Sequence, residues 1–211
     1  MRFYCTDDTV DLEQYPYHVR DVHISDPFIL ADPKSRCYYT YVQFADTERF
    51  PDVETDKEHG VFYVLESKDL IHWSKPQICF RQNNFWADKD YWAPEVHIWK
   101  GRYYLFSSFR ADGHYRKCQC LVSDSPKGPF EPIRQEAVTP DGWQSLDGTL
   151  YVDRSGKPWM VFCHEWLQLV MVKFVPYQCL MIWAKQLVIL SFYLEHPTEN
   201  GMLKAQKKAA M

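Results

Sequence analysis

The sequence predicts an all-β chain built as part of a β-propeller, and three observations carry that reading. Similar strand–turn–strand units recur at roughly 55 to 65 residues, a period at the upper end for propeller blades. Aromatic residues make up 17% of the chain, a composition that suits strand faces. No long amphipathic helix interrupts the units. A propeller stacks such small sheets about an axis and leaves only short edges, which an open sandwich does not.

The first unit spans residues 26–80. It opens on Ser25-Asp26-Pro27-Phe28 with the apolar run Phe28-Ile29-Leu30, turns at Asp32-Pro33-Lys34-Ser35 and continues over 38–44. A third strand follows at Gly60-Val61-Phe62-Tyr63-Val64-Leu65. The unit closes on Ser67-Lys68-Asp69-Leu70-Ile71-His72-Trp73. The second unit opens at Trp92-Ala93-Pro94-Glu95-Val96, turns at Lys100-Gly101-Arg102 and runs through Tyr103-Tyr104-Leu105-Phe106. Its third strand lies near 118–122, and it closes on Ser125-Pro126-Lys127-Gly128-Pro129-Phe130. The third unit opens at Ser145-Leu146-Asp147-Gly148, turns at Ser155-Gly156-Lys157 and continues through Trp159 to Trp166. Trp73 and Phe130 read as apolar plugs under the closing turns.

Residues 1–168 therefore form a partial propeller domain, and 169–211 depart from the pattern. No aspartate follows Asp153, and Gly201 is the only glycine past Gly156. The apolar stretch 169–194 has neither strand nor helix period, and Lys173, Pro176, Gln178, Lys185 and Gln186 break it as a membrane span. The third unit is thus expected to lack its third strand. The genetic code offers an account. Met171-Val172 must contain the letters GGT, a glycine codon in another frame, and Met181-Ile182 must likewise contain GAT, an aspartate codon. Permissible codons give Gly-Asp-Gly-Glu across 169–173 and Ser-Asp-Asp-Leu across 179–183. The latter mirrors Ser67-Lys68-Asp69-Leu70. The tail is read as an out-of-frame segment after about Gln168.

A formal net charge of -4 offers no broad basic patch for nucleic acid. The start, Met1-Arg2-Phe3-Tyr4-Cys5-Thr6-Asp7-Asp8, shows no apolar signal region, so a cytoplasmic protein with reduced thiols is expected. Cys118-Gln119-Cys120 lacks zinc-ligand spacing, and His59 and His97 have no paired partner. No metal, cofactor or membrane is expected.

Two aspartates at equivalent ends of repeated hairpins can converge if the repeats surround an axis. Asp26 and Asp147 stand so. Each is also a common turn residue, before Pro27 and Gly148, and only the repeat context favours function. Trp92 opens the second unit and offers an indole face on which a sugar ring can stack, although a core tryptophan would read alike. Second strands return to the mouth of the hollow, which places Glu165 and Trp166 near its rim. Phe44 and Arg110 are weaker candidates by the same geometry. The directions of His23, Phe85 and Trp86 stay open.

In order and spacing, these pieces resemble glycoside hydrolase family 43, five-bladed propellers that remove xylose- or arabinose-type sugars. The resemblance covers about residues 20–168, and on it about two to three blades are present. It implies an inverting hydrolysis with Asp26 as general base and Asp147 as the residue that tunes and orients the acid. The family's acid, a glutamate on a later blade, has no in-frame counterpart, and Glu165 fills that role only as a tentative candidate. The implied partner is an oligo- or polysaccharide. A non-catalytic sugar-binding propeller, or a related enzyme acting on fructosides or mannosides, are the alternatives. The frame reading has a direct check: nucleotide sequence downstream of Gln168 is expected to yield further blade-like sequence in another frame, and an early stop codon there would end the idea.

Overall fold

The structure, a computed structural model, describes residues 10–22, 24–43, 51, 53–54, 60–82 and 85–165, with the backbone of three later strands. Side chains alternate across a strand, so a strand covered on both faces reads as an unbroken apolar run. That is how the first sheet is written. It comprises β1 (Tyr17–His18), β2 (Phe28–Asp32), β3 (Cys37–Val42), β4 (Val61–Ser67), β5 (His72–Trp73) and β6 (Gln77–Arg81). The antiparallel order is β1-β5-β4-β3-β2, with β6 also paired to β4. Every residue of β3 and β4 is buried. Tyr39, Tyr41, Phe62 and Val64 point to one core, while Tyr38, Val42, Val61, Tyr63 and Leu65 point to another.

The second sheet has the order β10-β9-β8-β7, made of β7 (Lys89–Trp99), β8 (Arg102–Arg110), β9 (Lys117–Ser123) and β10 (Glu131–Pro132). It too is two-faced. Tyr103, Leu105, Phe109 and Leu121 pack against the first sheet, and Tyr104, Phe106, Cys118 and Cys120 pack toward the third with Met160 and Phe162. The third sheet has the order β11-β12-β13, with β11 (Ser145–Val152), β12 (Pro158–His164) and β13 (Lys173–Tyr177). A hairpin of β14 (Leu190–Leu194) and β15 (Ala205–Ala209) follows. The first strand of each sheet faces its neighbours: β2 packs on β7, and β11 on β7 and β8. This is the blade arrangement expected from the repeats.

One expectation changes. The third sheet does possess a third strand, β13, paired to β12 from His164↔Lys173 to Met160↔Tyr177. The lack of alternation and of turns argued against it, and Pro176 lies within it. A proline is tolerated on an edge strand, where its missing N–H faces away from the ladder, and β13 is the edge of its sheet. The alternative-frame peptides at 169–172 and 179–183 lie outside the described residues.

The predicted turns are held by their own side chains. Asp32 accepts from the N–H groups of Lys34 (3.2 Å) and Ser35 (3.0 Å). Asp153 does the same for Ser155 (2.8 Å) and Lys157 (3.0 Å), and also takes Trp159 Nε1–H (2.8 Å). At the first closing turn, Asp69 accepts from Ile71 and His72 N–H at 2.8 and 2.7 Å. The plugs Trp73 and Phe130 are 3% and 2% exposed. Phe130 N–H bonds Cys79 O at 2.8 Å, and its ring meets Tyr41 edge-on, so the closing turn of the second blade fastens it to the first. Phe85 and Trp86 belong to the same core and not to a sugar pocket. Cys37, Cys79, Cys118, Cys120 and Cys163 carry buried free thiols. Among the described residues no helix is long and apolar enough to cross a membrane.

Two substitutions test this seam. Phe130→Ala is expected to cost about 3–5 kcal/mol in a denaturant titration, the usual loss for a buried aromatic. Gly128 has φ +77°, and a Cβ there would lie 2.3 Å from Cys79 O, a backbone atom that cannot swing away. Gly128→Ala is therefore expected to cost about 1–3 kcal/mol or more, whereas the change at Gly101, whose surroundings are open, carries only the backbone strain.

Candidate active site

The heads of the three inner strands share an unusual backbone. Asp26 (φ 49°), Ala93 (φ 48°) and Asp147 (φ 54°) all lie in the left-handed region. A non-glycine residue there is uncommon, and aspartate and asparagine tolerate it best. In β7 the pairing register slips around Trp92, and in β11 it slips between Leu146 and Thr149. Such bulges re-aim a side chain out of the ladder. The blades are thereby set in register as Asp26-Pro27-Phe28, Ala93-Pro94-Glu95 and Asp147-Gly148-Thr149. Trp92 therefore stands one place before the true equivalent of Asp26, which is Ala93.

These heads surround one cavity of about 380 Å³, lined by Asp26, Phe28, Trp92, Glu95 and Asp147 with the intervening Pro27, Ala93, Pro94 and Gly148. Asp26 and Asp147 thus share one hollow, as the repeats imply. Gly148 stands where the other blades have proline, and a Cβ there would push aside the Met160 methyl, 2.3 Å away, and press on Cys118 Cβ at 3.2 Å. Asp147 N–H donates to Ser108 Oγ at 3.0 Å, and Ser107 Oγ–H donates to the Trp92 carbonyl. The paired serines of β8 therefore hold the heads of β11 and β7. Trp92 is 42% exposed on the cavity wall.

The sequence reading missed Glu95. It occupies the position two residues after the left-handed one, where the other blades carry Phe28 and Thr149. Its Oε1 accepts from Thr149 Oγ1–H at 2.5 Å and is paired with His97 Nε2. The His97 ring in turn lies 5.3 Å from Phe28. Its one signal in the sequence was its place in the opening Trp92-Ala93-Pro94-Glu95-Val96 of the second unit, two residues past the position in line with Asp26 and Asp147.

Glu165 and Arg110 do not line the cavity. Glu165 is 1% exposed, and its Oε1 takes Arg116 Nη1–H at 2.5 Å. His164 beside it stacks on Trp143. Arg110 Nε lies 2.6 Å from Asp90 Oδ2, and Arg116 Nη2 reaches the same oxygen at 3.0 Å. Phe44, Trp166 and His23 lie outside the described residues. Among the described residues no cluster of three His, Cys, Asp or Glu side chains could hold a metal ion.

The carboxylates are differentiated. Asp147 is an exposed residue that opens onto the cavity. Lost hydration pushes its carboxyl above the usual aspartate range, the charges of Asp26 and Glu165 push further, and Arg116 opposes them. Burial would also push Glu95 up, but the hydrogen bonds from His97 and Thr149 outweigh it and hold Glu95 below the usual range. One carboxyl is thus shifted up and the other down within a single cavity.

A raised folded-state pKa means that the folded chain binds more protons than the unfolded one. The stability penalty from Asp147 is absent below the ordinary value of 3.8 and grows as pH rises through the folded pKa. Asp147→Asn keeps a residue that tolerates positive φ and removes the charge. The variant is expected to melt at a higher temperature than the parent at pH 7, with the difference vanishing below pH 3.8. An unchanged or lower melting temperature at neutral pH would contradict this electrostatic picture.

Comparison with known proteins agrees with the geometry. The family described as Glycosyl hydrolases family 43 matches residues 18–190. The xylosidase/arabinosidase 43A of Humicola insolens is 33% identical over 157 residues, which are 72% of this chain and 39% of that protein. The extracellular exo-alpha-(1->5)-L-arabinofuranosidase ArbA of Cellvibrio japonicus is 25% identical over 119 residues, 49% of this chain and 34% of that one. Among solved structures, an endo-arabinase from Bacteroides thetaiotaomicron superposes with a TM-score of 0.68 at 32% identity, over 84% of this chain and 66% of its own. The chain spans about two fifths of the length of the first curated relative and a third of the second. With a family match over most of its residues, three blades and an acidic hollow at their heads, the chain belongs to glycoside hydrolase family 43.

Proposed function

We propose that this chain carries the base and acid-tuning half of an inverting glycosidase site acting on xylose- or arabinose-containing glycans. The observation that carries the reading is the meeting of Asp26 and Asp147, on equivalent left-handed positions of two blades, in one cavity walled by Trp92. The relatives supply the sugar class: they are named as a xylosidase/arabinosidase, an arabinofuranosidase and an arabinanase. In an inverting reaction an ionised carboxylate deprotonates water on one face of the sugar. A protonated carboxyl, roughly 6.5–9.5 Å away, donates to the leaving oxygen on the other. Asp26 is suited to the base. Asp147, whose pKa is raised by desolvation and by the like charge of Asp26, is suited to orient and tune an acid brought from outside the described residues.

The described carboxylates offer no free acid. Glu95 is held ionised by His97 and Thr149, and Glu165 is engaged by Arg116 away from the cavity wall. We therefore infer that the 211-residue chain alone is a poor catalyst. On aryl xylosides and arabinofuranosides, turnover is expected at least ~100-fold below ordinary enzymatic rates, the usual worth of general acid catalysis. A 2,4-dinitrophenyl leaving group needs no protonation, so it is expected to recover measurable turnover, and Asp26→Asn is expected to reduce that again by ~100-fold. Full-rate hydrolysis of the unactivated glycosides would overturn the inference, and dinitrophenyl turnover untouched by Asp26→Asn would overturn the base assignment.

A further inference from the structure

Arg116 enters neither the family reading nor the sequence analysis, yet it contacts three components of the site. It precedes β9 and is only 12% exposed at the side chain. Its guanidinium carbon lies 3.8 Å from the centroid of the Trp92 ring. Nη1 donates to Glu165, the residue after β12, and Nη2 to Asp90 on the second sheet. The backbone is tied to the same place: Ser145 N–H donates to Arg116 O at 2.8 Å, and Glu165 N–H to Gln144 O at 2.9 Å. Asp90 is itself in the left-handed region and is gripped by Arg110 as well.

Stability alone is a poor account of this arrangement. A buried ion pair recovers little net free energy against its desolvation. Here Arg116 Nε and Glu165 Oε2 are buried with no hydrogen-bond partner among the described residues, a further cost. Trp92, meanwhile, belongs to none of the three hydrophobic cores and is among the more exposed large side chains. An indole without core packing samples several rotamers unless something fixes it, and a planar guanidinium can do so where an ammonium cannot. We propose that Arg116 is a positioning residue for the sugar platform: clamped by Glu165 and Asp90, it backs one face of the Trp92 indole and leaves the other face to a sugar ring. The inference rests on the glycan-binding reading above and goes beyond it by assigning Arg116, Glu165 and Asp90 a shared task. Its energetic logic is preorganisation, in which the ordering of the ring is settled before the ligand arrives.

The test is calorimetric titration with xylotriose and with α-1,5-arabinotriose, alongside melting temperatures. The proteins are the parent chain, Arg116→Lys, Trp92→Ala, the double variant R116K/W92A, and R116M/E165Q. Arg116→Lys retains the charge opposite Glu165 but not the plane, so it is expected to keep its fold and to bind ~10-fold more weakly, as for a lost cation–π stack. R116K/W92A is expected to bind no more weakly than W92A, because Arg116 acts through the indole. R116M/E165Q leaves no buried charge unpaired, is expected to show the same ~10-fold loss, and decides the question if the lysine variant does not fold. Parent-like affinity in folded R116K or R116M/E165Q, or losses that multiply in R116K/W92A, would overturn the proposal while leaving the glycan reading intact. A parent chain that binds neither trisaccharide would overturn both.

Discussion

Three inner strands begin with a backbone twist that L-residues seldom adopt, and the hollow depends on it. Asp26, Ala93 and Asp147 all carry a positive φ, and at the latter two the pairing ladder is interrupted. Strain of this kind persists only where the surroundings over-determine it. Here the surroundings are identifiable. Ser107 and Ser108, adjacent on β8, bond the Trp92 carbonyl and the Asp147 N–H, so one strand of the middle blade sets the geometry of its own inner strand and of the next blade's. Aspartate serves at two of these positions because its side chain both tolerates the conformation and carries the charge that the site uses.

The site is a layered distribution of charge. Asp26 and Asp147 face the cavity. Glu95 lines the same cavity but is compensated by His97 and Thr149, and on the flank Glu165 and Asp90 are compensated by Arg116 and Arg110. Compensation of the outer carboxylates keeps the like-charge repulsion where it bears on Asp147 without loading the fold with unpaired anions. It also explains why sheets two and three meet at a polar junction near the cavity while packing through apolar side chains farther along, at Phe106, Cys118, Met160 and Phe162.

Much of this was legible in the sequence because it is local. Strands buried on both faces write themselves as apolar runs, turns announce themselves by Asp32, Asp69 and Asp153, and the repeat of Asp-Pro-Phe as Asp-Gly-Thr marks the strand heads. The misses are non-local or irregular. Glu95 and Arg116 acquire their meaning from Thr149, Glu165 and Trp92, which lie 54, 49 and 24 positions away in the chain and meet them only after the blades stack. The one-residue offset between Trp92 and Asp26 comes from bulges, which no alternation pattern reveals. β13 escaped notice because its pairing is carried by backbone groups at a sheet edge, where Pro176 is tolerated.

The placement of sulfur has a practical consequence. Cys79 and Cys118 are completely enclosed, and burial pushes both thiols far above the range in which a thiolate forms. Cys79 sits at the seam of the first two blades and Cys118 at that of the second and third. Because only the thiolate alkylates readily, neither sulfur can be labelled while its seam is shut. Each is a built-in clock for the parting of one pair of blades, and the two labelling rates, measured side by side, would tell which seam of the ring gives way first.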